Sequence, residues 1–256
     1  MQTALSFNIA SNGLVLAAAL IFLLAGLVKG VVGLGLPTVA VGLLGLFMTP
    51  LQAAALLIVP SLVTNVWQLL AGGRFVWLLR RLWLMLAGII VGTLLGARIL
   101  PGDGAHAYAN VALGAALALY AVLGLAAVRF VVAPQRERWL ALLIGVVTGI
   151  ITAATAVFVI PAVPFLQALQ LDKEELIQAL GLSFTVSTIA MAAALAQGGM
   201  LQSGVALWSL LALLPALAGM FIGQWLRARI SALVFRRCFF FGLLLLGLHL
   251  VSGMWR

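Results

Sequence analysis

The chain consists almost entirely of long apolar tracts separated by short basic breaks, and that alternation leaves few folds open. A tract of about 20 apolar residues, coiled as an α-helix, matches the hydrocarbon core of a bilayer. In that medium every backbone N–H and C=O must find its partner inside the protein, and a helix provides this segment by segment. Hydrophobic residues make up 65% of the 256 positions and charged residues only 7%. A soluble domain carries about a quarter charged residues, so an ordinary soluble enzyme is excluded. Disorder is excluded by the same apolar excess. The expected fold class is an all-α polytopic membrane protein with room for roughly eight to ten segments.

The formal net charge is +9. The arginines stand in the breaks between apolar tracts, where basic residues set membrane orientation, so the charge does not point to nucleic acid. The single cysteine, Cys238, can form no internal disulfide and no thiolate metal cluster. The first 25 residues lack a basic leader and a small-residue cleavage site, and read as the first membrane segment.

Similar elements recur in the same order in two halves, 1–132 and 133–256. Gly26-Leu27-Val28-Lys29-Gly30 corresponds to Gly145-Val146-Val147-Thr148-Gly149. Gln52 and Ser61 correspond to Gln178 and Ser187, Gly72-Gly73 to Gly198-Gly199, and Gly92 with Arg98 to Gly223 with Arg229. Each half opens with a long tract, 13–47 and 139–169, that Gly, Pro or Thr interrupts near its middle. Three plain segments follow: 53–70, 82–100 and 107–131 in one half, 176–196, 205–226 and 239–253 in the other. At 1.5 Å per residue the opening tracts exceed one span, so each is expected to be two short helical pieces, as short spans or a re-entrant hairpin.

Charge selects between topologies. If each opening tract crosses once, the basic residues divide evenly between the two sides. If each crosses an even number of times, Arg74, Arg80, Arg81, Arg129, Arg136, Arg138, Lys173, Arg227, Arg229, Arg236 and Arg237 share one side. Only Arg98 and Arg256 then fall opposite, as the positive-inside rule prefers. Both termini are then periplasmic, and the halves form two inverted-topology repeats, each a broken or re-entrant helical hairpin plus three transmembrane helices. Transporters with such repeats bind substrate near the midplane, at paired broken segments.

Lys29 is the sharpest candidate, because a charge inside an apolar tract costs roughly 3 kcal/mol on insertion scales. It suits an anion; the bland alternatives are a lysine that snorkels to the interface and a lysine neutralised in place. Gly30, Gly33, Gly35, Pro37 and Thr38 follow it. Glycine and proline let the chain leave helical geometry, and a helix beginning there would aim free N–H groups at an anion. Close helix packing is the plainer use of such glycines. In the second half Thr148, Thr152 and Thr155 could bond an oxyanion or merely their own helix backbone. Asn65 and Ser187 are the preferred polar candidates of the following segments, ahead of Gln68, Ser183, Thr185 and Thr188. His249 lies in the last tract as a weaker candidate proton carrier. No Asp or Glu falls within a membrane tract, and no Ser-His-Asp, His-Glu-x-x-His or P-loop pattern occurs. No cofactor, metal site or catalytic centre is expected.

The run from Gly26 to Pro37, with the second opening at Gly145 to Gly149, resembles the TauE/SafE family of sulfite and organosulfonate exporters. The resemblance covers essentially the whole chain. Where many members repeat a Gly-rich break, this chain reads Thr152-Ala153-Ala154-Thr155. The resemblance implies a multi-pass permease of the bacterial inner membrane that moves a small sulfur-containing anion. Its partners would be that anion and the lipid bilayer, with protons the candidate coupling ion. An inside-negative potential of about 100 mV favours exit of an anion by ~2.3 kcal/mol per charge. Alternating access would rock the two halves about Lys29 and residues 148–155. An anion channel and a non-transporting scaffold are the alternatives.

Overall fold

The computed structural model describes residues 12–99, 105–126, 131–201 and 203–252. The break at 101–104, Arg129, Trp255 and Arg256 therefore lie outside the described residues. Among the described residues ten helices follow one another: α1 (Asn12–Val32), α2 (Leu36–Leu44), α3 (Pro50–Leu70), α4 (Phe75–Ile99), α5 (Ala105–Ala126), α6 (Pro134–Thr155), α7 (Ala162–Ala168), α8 (Lys173–Gln197), α9 (Ser203–Arg227) and α10 (Ala232–Ser252). Eight of them are long and apolar enough to cross a membrane; α2 and α7 are not. No strand occurs among the described residues. The protein is an all-helical multi-span membrane protein.

Each opening tract divides unequally. Its first piece is a full-length helix, of 21 residues in α1 and 22 in α6, and only the second piece is short. The expectation of two short pieces fails because Gly26, Gly30, Gly145 and Gly149 pack against neighbouring helices without breaking α1 or α6. The plain segments also extend beyond their apolar cores. Arg80 and Arg81 lie within α4, and Arg236 and Arg237 within α10, since a helix need not stop at the membrane surface.

Contacts give each long helix its direction. Arg81 bonds Glu137, Gly88 abuts Leu142 and Gly145, Gly92 abuts Val146, and Gly96 abuts Ile150 and Ala153. Residue numbers rise together, so α4 and α6 run parallel. Gly26 abuts Ala216 and Gly30 abuts Met220 and Gln224, so α1 and α9 are also parallel. Gly114 lies on Leu250 and Gly124 on Phe240, which makes α5 and α10 antiparallel. The amide of Gln68 donates to the Ile177 carbonyl and that of Gln178 to the carbonyls of Leu69 and Gly72, which clamps the end of α3 to the start of α8.

These directions define two ends of the bundle. α3 finishes where α4 begins, and α6 and α8 begin at that same end. α9 finishes there, and so does its parallel partner α1. The chain from Val32 to Pro50 must therefore return through the depth of the bundle to start α3. A helix of nine residues covers about 14 Å of that return, and extended residues beside it supply the rest. The stretch containing α7 makes the matching return in the opposite sense. Arg74, Arg80, Arg81, Arg136, Arg138, Lys173, Arg227, Arg229, Arg236 and Arg237 collect at the end where α4 begins; Arg98 lies at the other. Trp77, Trp83, Trp139 and Trp225 stand exposed toward this basic end, where indole suits the interface.

Local chemistry explains the boundaries. Thr49 caps α3: its hydroxyl accepts the Gln52 N–H, and the Gln52 side chain accepts the Thr49 N–H. Pro60 inside α3 removes one N–H and leaves the Leu56 carbonyl without its helical donor. Ser209 of α9 fills that gap: its hydroxyl donates to the Leu56 carbonyl at 2.8 Å and accepts from the Val59 N–H at 3.1 Å. Ser209→Ala is expected to lower stability by about 1–3 kcal/mol, the cost of an unpaired buried carbonyl. Thermal unfolding in detergent measures it.

Candidate functional site

Lys29 stands in the last turn of α1, only 4% exposed. It does not snorkel: its ammonium donates to the side-chain oxygen of Asn65 on α3. The Asn65 amide in turn points to the hydroxyl of Thr188 on α8, at 3.5 Å. Thr188 also donates to the Phe184 carbonyl at 2.7 Å. Three helices thus meet through one buried cation, one amide and one hydroxyl. The ion pairs among the described residues are Arg74–Glu175 and Arg81–Glu137, so no carboxylate faces Lys29. No cluster of His, Cys, Asp or Glu among the described residues could hold a metal ion.

Buried hydroxyls form a second feature of the interior. Thr38, Ser61, Thr148, Ser183 and Ser187 each have a buried side-chain oxygen with no hydrogen-bond partner in the protein. Buried polar atoms are ordinarily bonded, so such a set is suited to a polar solute. Thr38 lies on α2 and Thr148 on α6, whereas Ser183 and Ser187 lie on the central helix α8.

The chain leaves α1 through two left-handed residues, Gly33 at φ 83° and Gly35 at φ 107°, a conformation glycine adopts without a Cβ clash. Leu36 and Pro37 then start α2, Pro37 needing no donor there. Glycine is absent from the second break. α6 ends on Ala156 at φ 58°, and threonines hold the turn. Thr152 donates to the carbonyls of Thr148 and Val157. Thr155 donates to the Ile151 carbonyl and accepts the Val157 N–H. These two hydroxyls are occupied by their own backbone.

The expected site residues therefore divide. Lys29 and Asn65 are joined directly. Thr38, Thr148 and Ser187 are buried with free oxygens. Gly33 lines a cavity; Gly35 sits against Val28 and Phe239; Pro37 is buried at the start of α2. Gly30 serves packing, since a Cβ there would lie 2.2 Å from the Met220 carbonyl oxygen. Register with α9 places Lys29 level with residues 220–223, short of the last turn of that helix. It also lies on a different seam from Thr148, because α1 packs on α9 and α6 on α4. On sequence Ser187 is preferred to Thr188, yet Thr188 is the one that meets Asn65. Its spacing of seven from Gly181, which abuts Asn65, is the helical period that could have placed it.

A cavity of about 750 Å³ opens at the basic end, floored by Val32, Gly33 and Leu34 at the end of α1. Lys173, Arg227 and Arg236 stand among its lining residues with Gln167 and Gln170. None of these was singled out in the sequence as a site residue, because charge in a break reads first as a topology signal.

The fold is thus a multi-span helical bundle with a buried lysine, and a cavity opens beyond the end of the helix that carries it. The chain belongs to the sulfite exporter TauE/SafE family, whose model matches residues 18–250. That is a membrane transporter family and not an enzyme family. No curated protein matches the chain, and no solved structure matches it.

Proposed function

We propose that the protein is a secondary transporter that exports a small sulfur-containing oxyanion, such as sulfite or an organosulfonate, by alternating access. The observation that carries this reading is the buried ammonium of Lys29, held by Asn65 with no carboxylate among the described residues to neutralise it. An isolated charge is costly in such a medium; a bound anion would offset that cost. The unpaired hydroxyls of Thr38, Ser61, Thr148, Ser183 and Ser187 supply donors for oxyanion oxygens along the interior. Family membership supplies the sulfur chemistry.

In this reading residues 1–132 and 133–256 are inverted repeats. Support comes from helix directions, since each long helix of one half runs opposite to its counterpart in the other. In this reading the basic end faces the cytoplasm of a bacterial inner membrane and both termini the periplasm, which the clustering of basic residues at one end supports. The moving bodies are not the sequence halves, however. α1 is seated on α9 and α6 on α4 through backbone-to-glycine contacts. Rocking one half against the other would break both seams, so α1 with α9 moves against α4 with α6, and the two short helices bend between them.

Reconstituted protein should take up labelled sulfite into sulfite-loaded vesicles by saturable counterflow. Flux without saturation or counterflow would replace the carrier by a channel. Absence of any sulfite-dependent flux would remove sulfite as the cargo. Proton coupling should appear as faster flux when a pH gradient is imposed.

A further inference from the structure

We infer that the cavity at the basic end is a distinct anion-collecting vestibule, in which Lys173, Arg227 and Arg236 gather a small oxyanion before it reaches Lys29. The inference deepens the proposed anion-transport reading and rests on it for the cargo alone.

Three cations from three helices converge on one concavity: Lys173 at the start of α8, Arg227 at the end of α9 and Arg236 in the first turns of α10. No carboxylate is among the residues that line it. The acids of this end are engaged elsewhere. Glu175 bonds Arg74 and accepts the Asp172 N–H, and Glu137 bonds Arg81. Asp172 and Glu174 flank Lys173 in the chain without lining the cavity. The neighbouring Arg229 lies over the Trp225 ring, 3.9 Å from its centroid, whereas Arg227 and Arg236 make no ion pair among the described residues.

Like charges in one pocket repel, and an anion between them relieves that repulsion. The walls are apolar, with Tyr120 and Phe240 packed edge to face at 5.2 Å. A low-dielectric wall focuses the field of the three cations and raises the local anion concentration. Guanidinium groups suit oxyanions because their planar donors can bind two oxygens at once. The floor, Val32-Gly33-Leu34, is the break that follows Lys29 in the chain. An anion held in the vestibule would therefore wait beside the hinge of α1 and α2. The same chemistry would also accept the phosphate headgroup of an anionic lipid, and the test separates the two.

The experiment reads the potential in the cavity independently of transport. Cys238, the single cysteine, is replaced by serine, and Gln167→Cys provides a thiol on the cavity lining. Its rates with a negatively and a positively charged methanethiosulfonate reagent are compared in zwitterionic vesicles. The anionic reagent should react about tenfold faster or more, after correction for free thiol. That preference should fall toward one when Lys173, Arg227 and Arg236 are all changed to Gln, and at high salt, where screening is short-ranged. No preference, or one that survives neutralisation, would overturn the vestibule. Loss of the preference on adding phosphatidylglycerol would also overturn it, by assigning the cavity to lipid. In sulfite counterflow the triple variant should show KM raised about tenfold with kcat retained, consistent with lost collection of substrate. If wild-type protein moves no sulfite while the reagent preference persists, the sulfite reading fails and the vestibule stands.

Discussion

Lys29→Met should abolish sulfite transport and leave the protein as stable as before. Methionine keeps most of the lysine volume and removes the charge, so the α1 packing survives. The two stability effects oppose each other. Removing a charge from membrane depth recovers roughly 3 kcal/mol on insertion scales. Removing the donor strands the Asn65 oxygen and costs about 1–3 kcal/mol. The melting temperature should therefore move by only a few degrees, upward as readily as downward. Transport has no such compensation. A hydrogen bond to a charged group contributes ~1.5–3 kcal/mol, so losing the cation should weaken anion handling by about 10–100-fold before any effect on the conformational cycle. Counterflow in vesicles and thermal unfolding in detergent, run on one preparation, check both halves. Flux within twofold of wild type would remove Lys29 from the site. A melting temperature lower by ten degrees or more would make it a structural residue. Asn65→Leu should show the complementary pattern: a destabilised protein, because the ammonium loses its acceptor while the charge stays buried.

The helical class is legible in the sequence because period and charge carry it. Apolar tracts of span length dictate helices, and the segregation of arginines selects an even number of crossings for each opening tract. The helix directions agree with that choice. What the sequence could not divide was the tract itself. α1 ends at Gly33 and Gly35, but α6 runs on to Ala156, a left-handed alanine that no glycine signal marks. Among the site residues, Lys29 and Asn65 were legible because a charge and an amide are costly in apolar surroundings. Their partnership was not, because they lie 36 positions apart and only the seating of both α1 and α3 on α9 brings them within reach. Thr152 and Thr155 illustrate the reverse. Their type suited a ligand, yet each hydroxyl turns to a carbonyl four residues earlier, a choice that residue type alone does not reveal.

Gly219→Leu should abolish assembly of the folded protein, and Gly219→Ala should destabilise it by about 1–3 kcal/mol, the usual cost of overpacking. The four glycines of the α1–α9 seam, Gly26, Gly30, Gly219 and Gly223, stand at intervals of four on each helix. A Cβ at Gly219 would lie 2.0 Å from the Leu23 carbonyl oxygen, and one at Gly26 would lie 2.0 Å from that of Ala216. The obstacle in both cases is backbone, which cannot rotate away as a side-chain end can. The helices would have to separate, and in a membrane little else draws them back, since lipid tails are as apolar as the exposed faces. The other seam repeats the arrangement: a Cβ at Gly92 would lie 2.2 Å from the Val146 carbonyl oxygen, and one at Gly145 would lie 2.2 Å from that of Met85. Both seams join helices from different halves, so damage to either one loosens the whole bundle. Gly242→Ala is the matched control, a helical glycine with nothing within 4 Å of the added Cβ. Expression level, monodispersity in detergent and thermal unfolding of the variants check the prediction. A Gly219→Ala protein as stable as Gly242→Ala would show that the seam has slack, and would remove the argument that α1 and α9 move as one body.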